Sequence, residues 1–413
     1  MITDYKDNIL HFDKLNLLDV ANTHQTPFYL YSENIIEDNF NSYLKSFGDN
    51  PHIICYSVKA NSNLSILSYL AKLGSGFDIV SAGELSRVIY AGGDPQKTVF
   101  SGVGKTEEEI QYALDKDILC FNIESEDELV TINNIASKRN VKANISIRVN
   151  PDINVDTHPY ITTGMRDNKF GIEESEIIST YVKASKLQAL NIIGIDFHIG
   201  SQILDTKPYL DSLIKIFNII DHLRSIGIVL SHLDIGGGLG ITYNDESAVS
   251  KKHFISEVLK NITDKSLSLI IEPGRSIVGD AGLLITKVVN IKKTSTKNFA
   301  IMDAGMNDLM RPPLYDAFHA IKEIKNATDE KKVFDVVGPI CESADFIGKE
   351  RKLFLKSGDF VAIENVGAYG FVLASNYNTR PKIDEYIISN SKVNKIRDRE
   401  TINQILENEL KFL

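Results

Sequence analysis

One pattern occurs eight times between residues 52 and 272, in which a short apolar, β-branched run precedes a stretch with helical spacing of its apolar residues. The apolar runs lie at residues 52–60, 76–80, 98–100, 118–123, 144–149, 192–198, 231–235 and 268–272. Alternating strands and helices predict a parallel sheet covered by helices. Eight units in roughly 220 residues match a closed (β/α)8 barrel better than an open sheet.

The sequence changes character after residue 279. Short apolar runs at residues 283–291, 299–302, 333–337, 360–363 and 386–388 are separated by turn residues and no longer alternate with helices. This indicates a second, mostly β domain of the sandwich or barrel type. Residues 1–26 do not fit the barrel pattern and are expected to add an N-terminal strand to it. The predicted domains are therefore a barrel at 27–278, and a β domain from 1–26 and 279–413.

Charge and composition exclude several classes of protein. The chain has 45 basic and 55 acidic residues, a net charge of −10, which disfavours nucleic-acid and anionic-membrane partners. No run reaches the ~20 apolar residues of a membrane span, and the N-terminus lacks a signal-peptide pattern, so a cytoplasmic protein is expected. Cys55, Cys120 and Cys341 are too scattered for a disulfide framework or a metal motif, and no metal is expected.

Polar residues follow the predicted strands at the end where barrel enzymes build their sites. Lys59 closes the first strand. A lysine in that position is commonly just a solvated strand end. At a barrel mouth it can instead be partly desolvated, which lowers its pKa and suits it to Schiff-base chemistry. Its neighbours decide between the two interpretations.

Histidine and glycines end the sixth and seventh strands. His198 is either a hydrogen-bonded core residue or a ring stacked on a planar cofactor, with Ser201 near an anion. Gly236, Gly237 and Gly238 form either a plain tight turn or a loop whose backbone N–H groups approach a phosphate. The position after the seventh strand favours the phosphate, because this fold commonly binds phosphate there.

Glu272, Gly274 and Arg275 follow the eighth strand. Glu272 could simply pair with Arg275. Alternatively, its carboxylate could face a pyridine nitrogen and keep it protonated, while Arg275 binds a phosphate or carboxylate. A lysine, a stacking ring, a phosphate loop and a carboxylate on one barrel rim together predict a pyridoxal 5′-phosphate site.

The same motifs resemble the fold-type III pyridoxal-phosphate decarboxylases, and the resemblance covers nearly the whole chain. It rests on residues 56–61 (Tyr-Ser-Val-Lys-Ala-Asn), 77–84 (Phe-Asp-Ile-Val-Ser-Ala-Gly-Glu) and 198–202 (His-Ile-Gly-Ser-Gln). It implies that Lys59 carries the cofactor and that Asp78 lies near it. The other cofactor contacts that it implies are His198, Ser201, Gly236, Gly237, Gly238, Glu272, Gly274, Arg275 and Tyr369.

Two motifs of the second domain resemble the family members that act on meso-2,6-diaminopimelate. Residues 303–315 look like their substrate segment, which implies substrate contacts by Arg311 and Tyr315. Residues 341–345 (Cys-Glu-Ser-Ala-Asp) look like their catalytic cysteine motif. The resemblance implies a homodimer in which Cys341 serves the neighbouring chain and Glu342 binds the distal ammonium. Further substrate contacts are expected from Arg275, Ser343 and Tyr369. The implied reaction yields L-lysine and CO2.

Three alternatives stay open. Ornithine or arginine decarboxylases share the barrel and the lysine, but their substrates lack a distal carboxylate, so the segment with Arg311 and Tyr315 speaks against them. Alanine racemase resembles the chain in its lysine but pairs the pyridine nitrogen with an arginine, whereas this chain has Glu272. A non-catalytic homologue would tend to lose Lys59 or Cys341, and both are present.

Overall fold

In the computed structural model, residues 2–153, 169–326 and 330–413 are described. The chain divides into two compact units. The barrel unit comprises Asn39–Ile241 and Ser247–Ser276, and the terminal unit comprises Met1–Asp38, Thr242–Glu246 and Ile277–Leu413.

The N-terminal region forms a small sheet of its own. Its elements are β1 (Thr3–Lys6), β2 (Ile9–Phe12), β3 (Leu15–Asn16) and α1 (Leu17–Thr23), followed by β4 (Phe28–Ser32) and α2 (Glu33–Phe47). Strand β2 pairs antiparallel with β1 and β3. The Asn16 side chain accepts hydrogen bonds from the first backbone N–H groups of α1 and so begins that helix.

Eight parallel strands close into a barrel, as the sequence predicts. They are β5 (His52–Ser57), β6 (Gly76–Ile79), β7 (Thr98–Phe100), β8 (Cys120–Ile123), β9 (Ala143–Asn150), β11 (Leu190–Asp196), β12 (His232–Asp234) and β13 (Ser268–Ile271), with β10 (Ile172–Glu173) added beside β9. Each strand pairs with the next, and β13 pairs with β5 to complete the ring.

Helices follow the barrel strands where caps and apolar spacing favour them. They are α3 (Leu64–Lys72), α4 (Ala82–Tyr90), α5 (Glu107–Asp115), α6 (Glu126–Lys138), α7 (Ile177–Ala184), α8 (Lys207–Ser225), α9 (Lys251–Asn261) and α10 (Arg275–Val278). Thr106 and Glu109 form a capping box at the start of α5. Helix α6 buries Leu129, Ile132 and Ala136, which lie on one helical face.

Inside the barrel, side chains become polar toward the carboxyl ends of the strands. Cys55, Val99, Cys120 and Ile270 form a buried apolar cluster. Two residues further along the same strands, and therefore on the same face, lie the buried polar residues Ser57, Ser101, Asn122 and Glu272. An apolar layer thus lies beneath a polar layer at the mouth.

The terminal unit contains a mixed sheet. Its remaining elements are β14 (Gly282–Lys293), β15 (Asn298–Met302), α11 (Arg311–Tyr315), β16 (Ile321–Glu323), β17 (Lys332–Val337), β18 (Phe346–Leu353), β19 (Phe360–Ile363), β20 (Asp384–Ser389), β21 (Lys392–Arg397) and α12 (Ile402–Leu410). The sheet order is β18-β17-β15-β14-β4-β20-β21, and β19 pairs with β14 and β16.

The strand contributed from the N-terminal part of the chain is β4, not a strand within residues 1–26. Strand β4 pairs antiparallel with β14 and parallel with β20. The sequence assigns its residues to the barrel because a five-residue apolar run before a helix looks like a βα unit. Its sheet partners lie far away in sequence, which no local pattern reveals.

Candidate active site

Lys59 lies at the carboxyl end of β5, on a short 3-10 turn at Val58–Ala60. Its Nζ forms an ion pair with Asp78 Oδ2, at the end of β6; the Lys59 side chain is 36% exposed, whereas Asp78 is fully buried. Ser57 Oγ donates to the same carboxylate oxygen at 2.8 Å and lies 2.9 Å from the carbonyl oxygen of Glu272. A buried carboxylate therefore fixes the amine at the barrel mouth.

Glu272 follows β13 and is buried. Its Oε1 accepts from Ser101 Oγ at 3.3 Å and Asn122 Nδ2 at 3.4 Å. Burial, and then the negative charges of Asp234 and Asp78, raise its pKa well above the usual range. Burial also raises the pKa of Asp234 to about 7. Both buried carboxyl groups therefore bind a proton more readily than an exposed carboxyl does.

A second group of charged residues lies at the same rim and is missed by the sequence analysis. Arg148 on β9 donates from Nη1 to Glu124 Oε1 at 2.7 Å and from Nη2 to the carbonyl oxygen of His198 at 3.4 Å. Asp196 ends β11, and burial raises its pKa well above the usual range. Each lies at or near a strand end, as Lys59 does, but the sequence does not indicate which face of the strand it occupies.

His198 lies just beyond β11. Its Nδ1 accepts from the N–H of Gly237 at 3.1 Å, which leaves the proton of the neutral ring on Nε2. Burial, and then the positive charges of Arg148 and Lys59, lower its pKa well below the usual range. The ring is therefore uncharged at neutral pH.

The glycine loop packs tightly against neighbouring strand ends. A Cβ atom on Gly237 would lie 2.1 Å from the carbonyl oxygen of Glu272, while Gly236 and Gly238 adopt φ angles of +66° and +105°. The N–H of Gly236 donates to Asp234 Oδ1 at 2.9 Å. The N–H groups of Gly236 and Gly237 are thus bonded within the protein, and their contacts with a phosphate stay a prediction.

Arg275, the first residue of α10, is buried and donates from Nη2 to Ser201 Oγ at 3.0 Å. The alternative in which Glu272 serves only to pair with Arg275 is therefore not the arrangement observed. A Cβ on Gly274 would lie 2.8 Å from that of Ala60, so the chain needs a glycine there. The structure brings these predicted residues together at one barrel rim with Lys59.

The terminal unit contains the other predicted site residues. Arg311 begins α11, is buried, and donates from Nη1 to Tyr243 Oη and His319 Nε2, both at 3.0 Å. Tyr315, at the end of α11, is half-buried. Tyr369 is also half-buried and has a φ of +56°. Tyr243 and His319 are contacts that the sequence analysis misses, since both lie far from residue 311 in the chain.

The cysteine motif lies in the loop between β17 and β18. Cys341 is exposed, and its N–H donates to Asn378 Oδ1 at 3.0 Å. Glu342 is exposed and accepts a hydrogen bond from Tyr377 Oη. Ser343 is exposed as well. The loop therefore presents three predicted site residues on the surface of the single chain.

Asp345 anchors this loop. It is buried, and its two carboxylate oxygens accept from the N–H groups of Met306 and Ile340, each at 2.6 Å. Both carboxylate oxygens hold backbone N–H groups, so this side chain fixes the path of the chain next to Cys341.

Two features are absent from residues 2–153, 169–326 and 330–413. Within these ranges no helix is long and apolar enough to cross a membrane. No group of three or more metal-ligating side chains is present there either.

Comparison with known proteins agrees with the chemistry of this site. Residues 33–279 match the family model for the pyridoxal-binding domain of pyridoxal-dependent decarboxylases. The diaminopimelate decarboxylase of Vibrio cholerae is 49% identical over 97% of this chain and 96% of its own length. The crystal structure of the Helicobacter pylori enzyme with L-lysine superposes with a TM-score of 0.93 at 46% identity, covering 96% of this chain and all of that one.

A more distant structure, SrLDC in complex with PLP and cadaverine, has a TM-score of 0.81 at 26% identity and covers 92% of this chain and 94% of its own. The similarity therefore extends across both units. The chain belongs to the pyridoxal-dependent decarboxylases and, within them, to the diaminopimelate decarboxylase family.

Proposed function

We propose that this chain catalyses the pyridoxal-phosphate-dependent decarboxylation of meso-2,6-diaminopimelate to L-lysine and CO2. The observation that carries the proposal is the rim of the barrel, where the Lys59 amine is held by buried Asp78 beside a glycine loop and the buried carboxyl of Glu272, whose pKa is raised well above the usual range. Identity to diaminopimelate decarboxylases over nearly the full length supports it, as does the L-lysine bound to the Helicobacter pylori relative.

The residues present fit the cofactor. An amine for its aldehyde lies at Lys59, hydrogen-bond donors for its phosphate lie at Ser201 and Arg275, and a carboxyl for its ring nitrogen lies at Glu272. Gly238 packs directly against the segment that leads to Ser201, since a Cβ there would lie 2.3 Å from the carbonyl oxygen of Gly200. When bound, the cofactor supplies an electron sink for the electron pair left by the departing CO2.

The protein groups prepare this chemistry before substrate arrives. Asp78 and Ser57 hold the Lys59 amine at the rim. His198 offers a neutral ring for stacking, so it adds no positive charge to the face of the cofactor. Glu272 offers a buried carboxyl to the ring nitrogen, and burial raises the pKa of that carboxyl well above its usual range.

The terminal unit supplies the groups for the substrate. Arg311 binds the distal carboxylate as a planar fork, and Glu342 binds the distal ammonium. Cys341 or Lys59 returns a proton to the carbon that lost CO2. The other proposed substrate contacts are Arg275, Tyr315, Ser343 and Tyr369.

We also infer a homodimer with shared sites. Cys341, Glu342 and Ser343 are exposed in the single chain, where a second copy could use them. We further infer a cytoplasmic enzyme, and its charge of −10 disfavours nucleic-acid and anionic-membrane partners.

Substrate and cofactor attachment can be tested directly. Release of CO2 from meso-diaminopimelate should greatly exceed release from ornithine, arginine or lysine, and faster release from any of these would refute the assignment. Borohydride reduction of the holoenzyme should leave a stable pyridoxyl label on Lys59. Lys59→Ala should lose the label, whereas Lys72→Ala, at an exposed position on α3, should keep it.

Shared sites can be tested by mixing two inactive variants. Lys59→Ala lacks the cofactor lysine and Cys341→Ala lacks the cysteine, so each homodimer should be nearly inactive. Equal mixing and re-association yields half heterodimers, each with one complete site, and about a quarter of the wild-type activity. No recovery, despite heterodimers detected by mass, would show that Cys341 serves its own chain.

A further inference from the structure

The buried contacts of Arg311 suggest how its orientation is determined. His319 is fully buried, and its Nδ1 lies 2.8 Å from the carbonyl oxygen of Glu364. Its other ring nitrogen, Nε2, lies 3.0 Å from Arg311 Nη1. The imidazole thus connects the backbone of the sheet to the guanidinium.

The hydrogen-bond chemistry allows only one protonation state for this arrangement. A carbonyl oxygen only accepts, so His319 Nδ1 carries the proton and donates it. Arg311 only donates, so His319 Nε2 must be an unprotonated acceptor. The ring is therefore the neutral Nδ1–H tautomer, bonded in both directions.

Tyr243 restrains the same guanidinium from another side. Its hydroxyl oxygen accepts from Arg311 Nη1 at 3.0 Å, and the guanidinium carbon lies 4.8 Å from the centroid of its ring. The Tyr243 and His319 rings pack edge-to-face, with centroids 5.4 Å apart and an angle of 87°. Two acceptors and a ring face together define the plane of the Arg311 fork.

We propose that His319 is a positioning residue that sets the Arg311 fork for the distal carboxylate of the substrate. This rests on the proposed function, in which Arg311 binds that carboxylate. A planar guanidinium that is already oriented loses less side-chain freedom when it binds. Since the distal carboxylate takes no part in bond breaking, the effect falls on KM rather than on kcat.

The distal carboxylate also distinguishes two simple ligands. Decarboxylation removes the reacting carboxylate and leaves the distal one on L-lysine. The compound 1,5-diaminopentane has the same carbon chain and amines but no carboxylate. His319 should therefore affect the binding of L-lysine and leave the binding of 1,5-diaminopentane unchanged.

Two amide substitutions separate the bonds of His319. In His319→Asn the Nδ2 group can replace Nδ1 and keep the bond to Glu364, but no acceptor remains for Arg311. In His319→Gln the Oε1 atom can replace Nε2 and keep the acceptor. We expect His319→Asn to raise KM for meso-diaminopimelate and the inhibition constant of L-lysine roughly three- to tenfold, with kcat within about twofold.

In His319→Gln, KM, kcat and the inhibition constant of L-lysine should each remain within about twofold of wild type. The inhibition constant of 1,5-diaminopentane should remain within about twofold of wild type in both His319 variants. Tyr243→Phe, which removes the other acceptor of Arg311 Nη1, provides a second test if His319→Asn does not fold. It should weaken the binding of L-lysine and leave the binding of 1,5-diaminopentane unchanged.

The proposal is overturned if either His319 variant changes kcat instead of KM, or if His319→Asn and His319→Gln have the same effect. It is also overturned if the binding of L-lysine and of 1,5-diaminopentane weakens together. A failure of the proposed function would look different. Wild-type enzyme would then release no CO2 from meso-diaminopimelate and would not distinguish L-lysine from 1,5-diaminopentane.

Discussion

Replacing Asp234 with asparagine should change how the stability of the protein depends on pH. Burial raises the pKa of Asp234 in the folded protein to about 7, above the ~3.9 of an aspartate in an unfolded chain. Between these pH values the folded state binds more protons, so the free energy of unfolding falls as pH rises from about 4 to about 7. Above about pH 7 Asp234 lowers the free energy of unfolding no further.

The size of the effect follows from the two pKa values. A difference of about three units at 1.36 kcal/mol each gives about 4 kcal/mol, of which roughly 2.5 kcal/mol falls between pH 5 and pH 8. Asparagine cannot ionise and keeps an oxygen to accept from the N–H of Gly236. Asp234→Asn should therefore be the more stable protein at pH 8.

Urea unfolding of protein freed of its cofactor, at pH 5 and pH 8, measures this difference. Circular dichroism is the appropriate signal because the chain contains no tryptophan. Asp221→Asn is the matched control, since that side chain is 70% exposed; it should leave the pH dependence unchanged. The reasoning is refuted if Asp234→Asn shows the same pH dependence as wild type or is less stable at pH 8.

Three further substitutions test the loops of the site. Gly237→Ala places a Cβ 2.1 Å from the carbonyl oxygen of Glu272, so the loop must move by about 1 Å. The affinity for pyridoxal phosphate, measured by absorbance titration, should fall at least about tenfold. Unchanged affinity would contradict this. Tyr209→Phe removes a buried hydrogen bond of 2.8 Å to the carbonyl of Gly237 and should cost about 1–3 kcal/mol of unfolding free energy; wild-type stability would count against it. Asp345→Asn sets an amide N–H against a backbone N–H of the cysteine loop. It should lower kcat roughly tenfold without changing cofactor binding. A normal kcat would show that the loop does not need this anchor.

The barrel could be predicted because its signals are local. Apolar runs, helical spacing and polar strand ends lie next to one another in the sequence, and the eight strands, the position of Lys59 and the position of Glu272 follow from them. Strand β4 has the same local signal, an apolar run before a helix, yet its partners are β14 and β20. Only long-range pairing distinguishes it from a barrel strand.

The missed site residues share the same cause. Arg148, Asp196 and Asp234 lie within or at the ends of apolar runs, where the sequence does not indicate which face of the strand they occupy. Tyr243 and His319 meet Arg311 only in the folded chain. The sequence also does not show that the N–H groups of Gly236 and Gly237 bond to Asp234 and His198, since these bonds depend on the folded loop.

The apolar layer beneath the mouth has a consequence for how protons move. Cys55, Val99, Cys120 and Ile270 offer no groups that titrate near neutral pH, and burial raises the pKa of both thiols well above the usual range. These four side chains therefore give the carboxyl group of Glu272, which lies two residues beyond Ile270, no partner for proton transfer near neutral pH.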